Sequence, residues 1–178
     1  MNAFYKSILL VIFVNITLSA CTGIPEGVTP VRDFDKKRYL GQWYEIARLD
    51  HSFERGLEQV TATYSLRDDG GISVLNKGFN PAKNEWKEAT GKAYFVSDDD
   101  IGHLKVSFFG PFYASYVIAE LDKDNYQYAL VTGPDTDFLW ILARQKVLAK
   151  DILDSLIQQA QTAGFDTTQL IFVNQGAD

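Results

Sequence analysis

The sequence predicts an all-β fold: an eight-stranded antiparallel up-and-down β-barrel with one C-terminal α-helix packed on its wall. Three observations predict it. Short runs that alternate apolar and polar residues recur between turn signals from residue 41 to residue 144. The period then changes once, to that of a helix, over residues 149–163. Finally, the first run carries Trp43 and the last ends on Arg144, so an indole and a guanidinium stand on neighbouring strands if the barrel closes.

Residues 1–20 are set apart from that domain. Lys6 gives a basic start, and 8–14 is an unbroken apolar run. The run is too short for a membrane span, which needs ~20 apolar residues. Ser19 and Ala20 are the small residues of a signal-peptide cleavage site. Leu18-Ser19-Ala20-Cys21 resembles a lipobox, the signal for diacylglyceryl transfer to the Cys and cleavage before it. That accounts for the single cysteine of the chain, which has no internal disulfide partner. The resemblance implies lipid on the Cys21 thiol and a further acyl chain on its amine; two chains anchor stably where one holds only marginally. Thr22 rather than Asp follows, which by the bacterial sorting rule points to the outer membrane. Residues 21–31, with Gly23, Pro25, Gly27 and Pro30, read as a lipidated tether that sets the domain 32–178 off the lipid surface.

The domain follows in order. Residues 34–40 read as a short helical turn at the barrel floor. In the run 41–49, Trp43, Glu45, Ala47 and Leu49 share one strand face, and Tyr44, Ile46 and Arg48 the other. Residues 50–57 form a loop, and His51 in it reads as a surface histidine. Strands follow at 58–67 and 72–80, joined by Asp68-Asp69-Gly70-Gly71, where glycine supplies positive φ. The strand 85–96 contains Gly91, a predicted bend. Further strands are 103–109, 113–121, 126–132 and 138–144. The helix 149–163 carries Ile152, Leu153, Leu156, Ile157 and Ala160 on one stripe and stops at Gly164. Residues 171–173 add a last strand beside the first.

These strands give the interior its lining. With Trp43, Trp140 and Arg144 inward, Phe138 and Leu142 are inward too, and the other strands offer Tyr64, Asn76, Val106, Phe108 and Tyr116. Either these are ordinary core residues or they surround a hollow. As a set they are aromatic and polar-tipped, and buried Tyr and Trp need hydrogen-bond partners. Glu45 is either paired or protonated inside the barrel, or stands near the rim in water.

Gly41-Gln42-Trp43 with Arg144 resembles the lipocalin family, in which a Gly-x-Trp on the first strand is capped by an Arg after the last barrel strand. The stretch 34–80, with Arg38-Tyr39-Leu40-Gly41, Phe53-Glu54-Arg55-Gly56 and Thr63-Tyr64-Ser65-Leu66, is similar to the bacterial lipoprotein lipocalins related to apolipoprotein D. The second family motif, Thr-Asp-Tyr, is degenerate here as Leu121-Asp122-Lys123. The resemblance covers residues 21–175. It implies that Gly41, Trp43 and Arg144 seal the floor, that Tyr64, Asn76, Phe108, Tyr116 and Trp140 line a ligand cavity, and that the 50–57 loop folds over the mouth.

Composition narrows the function. A net charge of −6 disfavours nucleic acid, whose binding needs a basic patch. The two histidines, His51 and His103, lack metal-ligand spacing, no Gly-x-Ser-x-Gly or phosphate loop occurs, and no cofactor is implied. The expectation is a binding protein rather than an enzyme: a carrier of fatty acid or lysophospholipid, anchored in the bacterial outer membrane and facing the periplasm. The competing expectation is a structural lipoprotein with a filled barrel that acts through protein contacts. Apolar residues around the mouth would also support a homodimer.

Overall fold

The computed structural model describes residues 22–176; the signal segment and Cys21 lie outside the described residues. A short helix α1 (Lys36–Tyr39) precedes eight barrel strands: β1 (Gly41–Arg48), β2 (Glu58–Leu66), β3 (Ile72–Asn80), β4 (Glu85–Phe95), β5 (His103–Ser107), β6 (Ala114–Leu121), β7 (Tyr128–Thr132) and β8 (Leu139–Ala143). Helix α2 (Lys150–Thr162), a 3₁₀ turn (Thr167–Gln169) and β9 (Ile171–Phe172) complete the domain. Consecutive strands pair antiparallel, β8 pairs with β1, and β1 pairs with β2, so the sheet is a closed barrel. The expected eight strands and C-terminal helix are present, and β9 pairs with β1 as expected.

The floor is built around Trp43, which is fully buried. Its Nε1 donates to the Tyr39 carbonyl at 2.8 Å, which joins the end of α1 to the first strand. The Arg144 guanidinium lies 3.9 Å from the indole centroid. Arg144 also donates to the carbonyls of Gln42 and Arg38 at 2.8 Å, Leu40 at 2.9 Å and Tyr126 at 3.3 Å. One side chain therefore satisfies orphan carbonyls from α1, β1 and the β6–β7 turn. Gly41 has φ +91°, a conformation that glycine adopts without strain, and a Cβ there would only come into ordinary contact with Arg144 Nη1 at 3.4 Å. The degenerate second motif packs in as well: Arg38 donates to Lys123 and Asp124 carbonyls and covers the Tyr126 ring.

Strand alternation then breaks in β1. The register against β8 shifts between Glu45 and Ala47, a β-bulge at Ile46. The expected faces hold for Trp43 and Glu45 but reverse beyond. Ala47 and Leu49, expected inward, join Ile46 in the outer core; Arg48, expected outward, is buried against Glu45. The bulge also ends direct β1–β2 pairing at Tyr44–Thr61. The C-terminal tail takes over that seam. Val173 N donates to the Ile46 carbonyl, and Gln175 Nε2 donates to the carbonyls of Glu45 at 2.7 Å and Val60 at 3.0 Å.

Two cores result. The inner one fills the barrel's floor half with Phe34, Tyr39, Trp43, Tyr64, Val74, Ile118, Val131 and Leu142. The outer one lies between the wall and α2, where Leu156 and Ala160 meet Ile46, Leu130, Ile141 and Ala143. Gly164, at φ +92°, ends α2: Phe165 N bonds the Ala160 carbonyl and Gly164 N the Gln161 carbonyl. Residues 22–31 are not a free spacer. Pro25 is buried, Val28 packs on the outer core, and Val31 exchanges backbone bonds with Ile118 and Gly102.

Trp43→Ala removes a fully buried indole with its hydrogen bond and its cationic partner. Urea unfolding should show a loss of roughly 3–5 kcal/mol, the range for large aromatic truncations in cores.

Candidate functional site

The floor lies where β1 begins, so the mouth is the opposite end, ringed by the loops 49–57, 81–84, 108–113 and 133–138. The inward faces of β2, β3, β5, β6 and β8 bring together all six residues expected to line the cavity. Tyr64 sits deepest. Its hydroxyl is 2.7 Å from that of Tyr116, which is 2.8 Å from that of Tyr39. Burial pushes all three phenols above their usual pKa. Tyr39 was not singled out as a site residue, because a Tyr next to a helical turn carries no inward signal in the sequence.

Above this tyrosine chain the lining changes. Val106, Phe108 and Trp140, with Tyr116 of the chain itself, adjoin the inner core yet remain only half-buried. Side chains that face a closed barrel and still touch solvent border a lumen open at one end. Gly91, expected as a bend, makes room for one of them: a Cβ there would stand 2.9 Å from the Phe108 ring. Asn76 is half-buried, and its Oδ1 is sealed without a hydrogen-bond partner among the described residues.

The upper lumen is charged. Arg48 Nη1 donates to Glu45 Oε1 at 2.6 Å, with 1% and 3% of the two residues exposed. Arg48 Nη2 donates to the carbonyls of Glu54 at 2.9 Å and Leu57 at 3.3 Å, which straps the mouth loop to β1. Trp140 Nε1 donates to Glu54 Oε2 at 3.0 Å. His51, expected on the surface, is buried instead: its ring stacks on Phe53 and Phe138 and tilts on Trp140, with centroids 4.7–5.2 Å away. Phe138 therefore belongs to the mouth, and Leu142 to the inner core. The second histidine, His103, bonds Ser115 Oγ at 2.8 Å.

Two buried carboxyls lie near one guanidinium: Glu45 bonds Arg48 directly, and Glu54, bonded to Trp140, feels its charge. Burial first, and then the neighbouring Glu54, raise the Glu45 pKa to about 8 against the pull of Arg48. Glu54 is also raised by burial. Burial, helped by Arg48, lowers His51 to about 4 and keeps it neutral. The sequence shows Glu45, Arg48 and Glu54 as ordinary charges; only the bulge and the folded-back loop join them.

A closed cup with one sealed end, an aromatic wall and a mouth strapped by a loop defines a small-molecule-binding barrel. The chain belongs to the lipocalin family: residues 34–175 match the family model described as a lipocalin-like domain. It is 58% identical over 94% of its length to the outer membrane lipoprotein Blc of Vibrio cholerae, covering 98% of that protein. It is 55% identical to the Escherichia coli K12 protein of the same name, over 85% of each chain. With mouse apolipoprotein D it shares 35% identity over 82% of this chain and 80% of that one. Insecticyanin of the tobacco hornworm superposes with a TM-score of 0.69 at 24% identity over 88% of each chain, which shows the shared fold.

Proton linkage in the upper lumen sets a pH dependence. A carboxyl with a raised folded pKa adds stability below its unfolded value near 4.5, and that stability is lost as pH rises towards about 8. His51 acts in the opposite sense below its ordinary 6.5, so above that pH the raised carboxyls of Glu45 and Glu54 set the slope. Unfolding free energy should fall by about 1–2 kcal/mol between pH 6.5 and 8. Glu45→Gln should flatten the slope in urea titrations across that range.

Proposed function

We propose that this protein is an outer-membrane-anchored lipid-binding lipoprotein. In this reading it takes one fatty acid or lysophospholipid, tail first, into the barrel. The observation that carries the reading is the half-buried aromatic wall of the lumen. A wholly filled barrel would bury Phe108, Tyr116 and Trp140 as completely as Trp43. The identity to outer membrane lipoproteins supports a lipid anchor and the bacterial outer-membrane location; in this reading the lipid is on Cys21 and the barrel faces the periplasm.

The chemistry fits a single-chain amphiphile. Each buried methylene contributes ~0.8 kcal/mol before ordering costs. Val106, Phe108 and Trp140 offer wall for a tail, while the Tyr39–Tyr116–Tyr64 chain limits its depth. A polar head stays at the mouth, since burying it unpaired is costly. There it meets the loop that Arg48 holds through the Glu54 and Leu57 carbonyls. Binding and carriage need no catalytic group, and we assign none.

Native mass spectrometry of the purified protein should show a co-purified acyl chain. Trp140→Ala should weaken fatty-acid binding about tenfold, or ~1.4 kcal/mol, with an unchanged circular dichroism spectrum. Empty protein and unaltered affinity in the variant would return the barrel to a structural role.

A further inference from the structure

We infer that the mouth of the barrel docks directly on the lipid surface that holds the anchor, through Phe53, Phe109 and Phe112. The inference goes beyond the proposed binding function and rests on it only for the lipid on Cys21.

The first observation is where the chain begins. From the floor, residues 22–33 run up the outside of the barrel. Val31 bonds Ile118 and Gly102, Gly27 lies against Ala163, and a Cβ at Gly23 would stand 3.7 Å from the Pro134 carbonyl. Pro134 belongs to the 133–138 loop of the rim. Thr22, the first described residue, faces the His103 ring, whose N–H its carbonyl accepts. This segment is packed rather than slack, so the residue that follows Cys21 is held near the rim loop at Pro134.

The second observation is polarity along the barrel axis. Phe53 is 58% exposed, Phe109 82% and Phe112 70%, and all three stand on mouth loops. They stand at the end of the barrel to which the half-buried wall of Phe108 and Trp140 leads. The floor end carries Lys36, Lys37, Arg38, Asp99, Lys123 and Asp124, with Lys36 paired to Asp99, and its exposed apolar side chains, Leu66, Val96 and Val147, are aliphatic rather than aromatic. Exposed aromatic rings beside an anchored chain end suit partition into a bilayer interface. Acidic Asp50, Asp135 and Asp137 near the rim argue that apolar insertion, not charge, attaches it. A ligand then passes between leaflet and lumen without crossing water.

The test uses the full chain, purified from bacterial membranes and reconstituted in phosphatidylethanolamine–phosphatidylglycerol vesicles that contain nitroxide-bearing lipid. Phe112→Cys and Val147→Cys each carry an environment-sensitive dye. Val147 is 82% exposed and lies just beyond Arg144 at the floor end, so it serves as the reference. The lipid quencher should reduce emission at 112 at least threefold more than at 147. Equal quenching would overturn the inference. So would shielding at 112 without vesicles in a dimer that Phe109→Ser with Phe112→Ser dissolves, which would assign the rings to a second copy. The intact mass of the same sample reports acylation separately. An unacylated chain would overturn both the anchor and the docking, whereas an acylated chain with equal quenching would overturn the docking alone.

Discussion

The stack of Arg144 on Trp43 is the contact on which this barrel depends. A cylinder closed by hydrogen bonds has no sheet edge but has two open ends, and one must be sealed for the interior to be dry. Trp43 supplies the area and Arg144 the connection. The guanidinium gives its donors to carbonyls of α1, β1 and the β6–β7 turn, groups that no strand ladder can satisfy there. A lysine would supply a charge without the planar fork that reaches these carbonyls while lying on a ring.

A second constraint follows from one residue. The bulge at Ile46 reverses the facing of the rest of β1. It brings Arg48 into the lumen beside Glu45 and turns Ala47 towards α2. It also interrupts the β1–β2 ladder, and backbone groups left there need partners. Gln175 and β9 provide them, so the C-terminal tail is part of barrel closure. The buried Glu45–Arg48 pair is not a cheap source of stability, because taking two charges out of water costs several kcal/mol per ion. Its evident work is positional: Arg48 holds the Glu54 and Leu57 carbonyls, and hence the loop over the mouth.

The interior therefore has three levels. Trp43 and Arg144 seal the base, the three tyrosines form a hydrogen-bonded layer above it, and an aromatic wall leads to a charged, loop-covered opening. Each level uses polar groups differently. At the base they tie segments together, in the middle they satisfy one another, and at the top they hold the loop over the mouth. A single-chain amphiphile matches that order, tail against the wall and head at the opening.

The sequence by itself determined the barrel, its strand boundaries to within a residue or two, the helix, the sealing pair and the β9 pairing. The strands and the helix rest on periodicity and turn chemistry, which are local; the closed barrel and its sealing pair rest on the resemblance of Gly41-Gln42-Trp43 and Arg144 to the lipocalin pattern. It also marked Tyr64, Asn76, Val106, Phe108, Tyr116 and Trp140 as inward, because alternation holds in those strands. Only the tertiary structure decided the rest. Alternation misplaced Ala47, Leu49 and Arg48, since a bulge has no signature in a run such as Glu45-Ile46-Ala47-Arg48. His51 was misread for a related reason: its burial comes from Phe53, Phe138 and Trp140, two of them some 90 residues away in the chain. The packed course of residues 22–31 was equally hidden, because Gly and Pro signal an irregular backbone and not whether a wall stands beside it. Local pattern sets which way a side chain points within an element; which elements meet, and what a buried charge finds there, depends on contacts between residues distant in sequence.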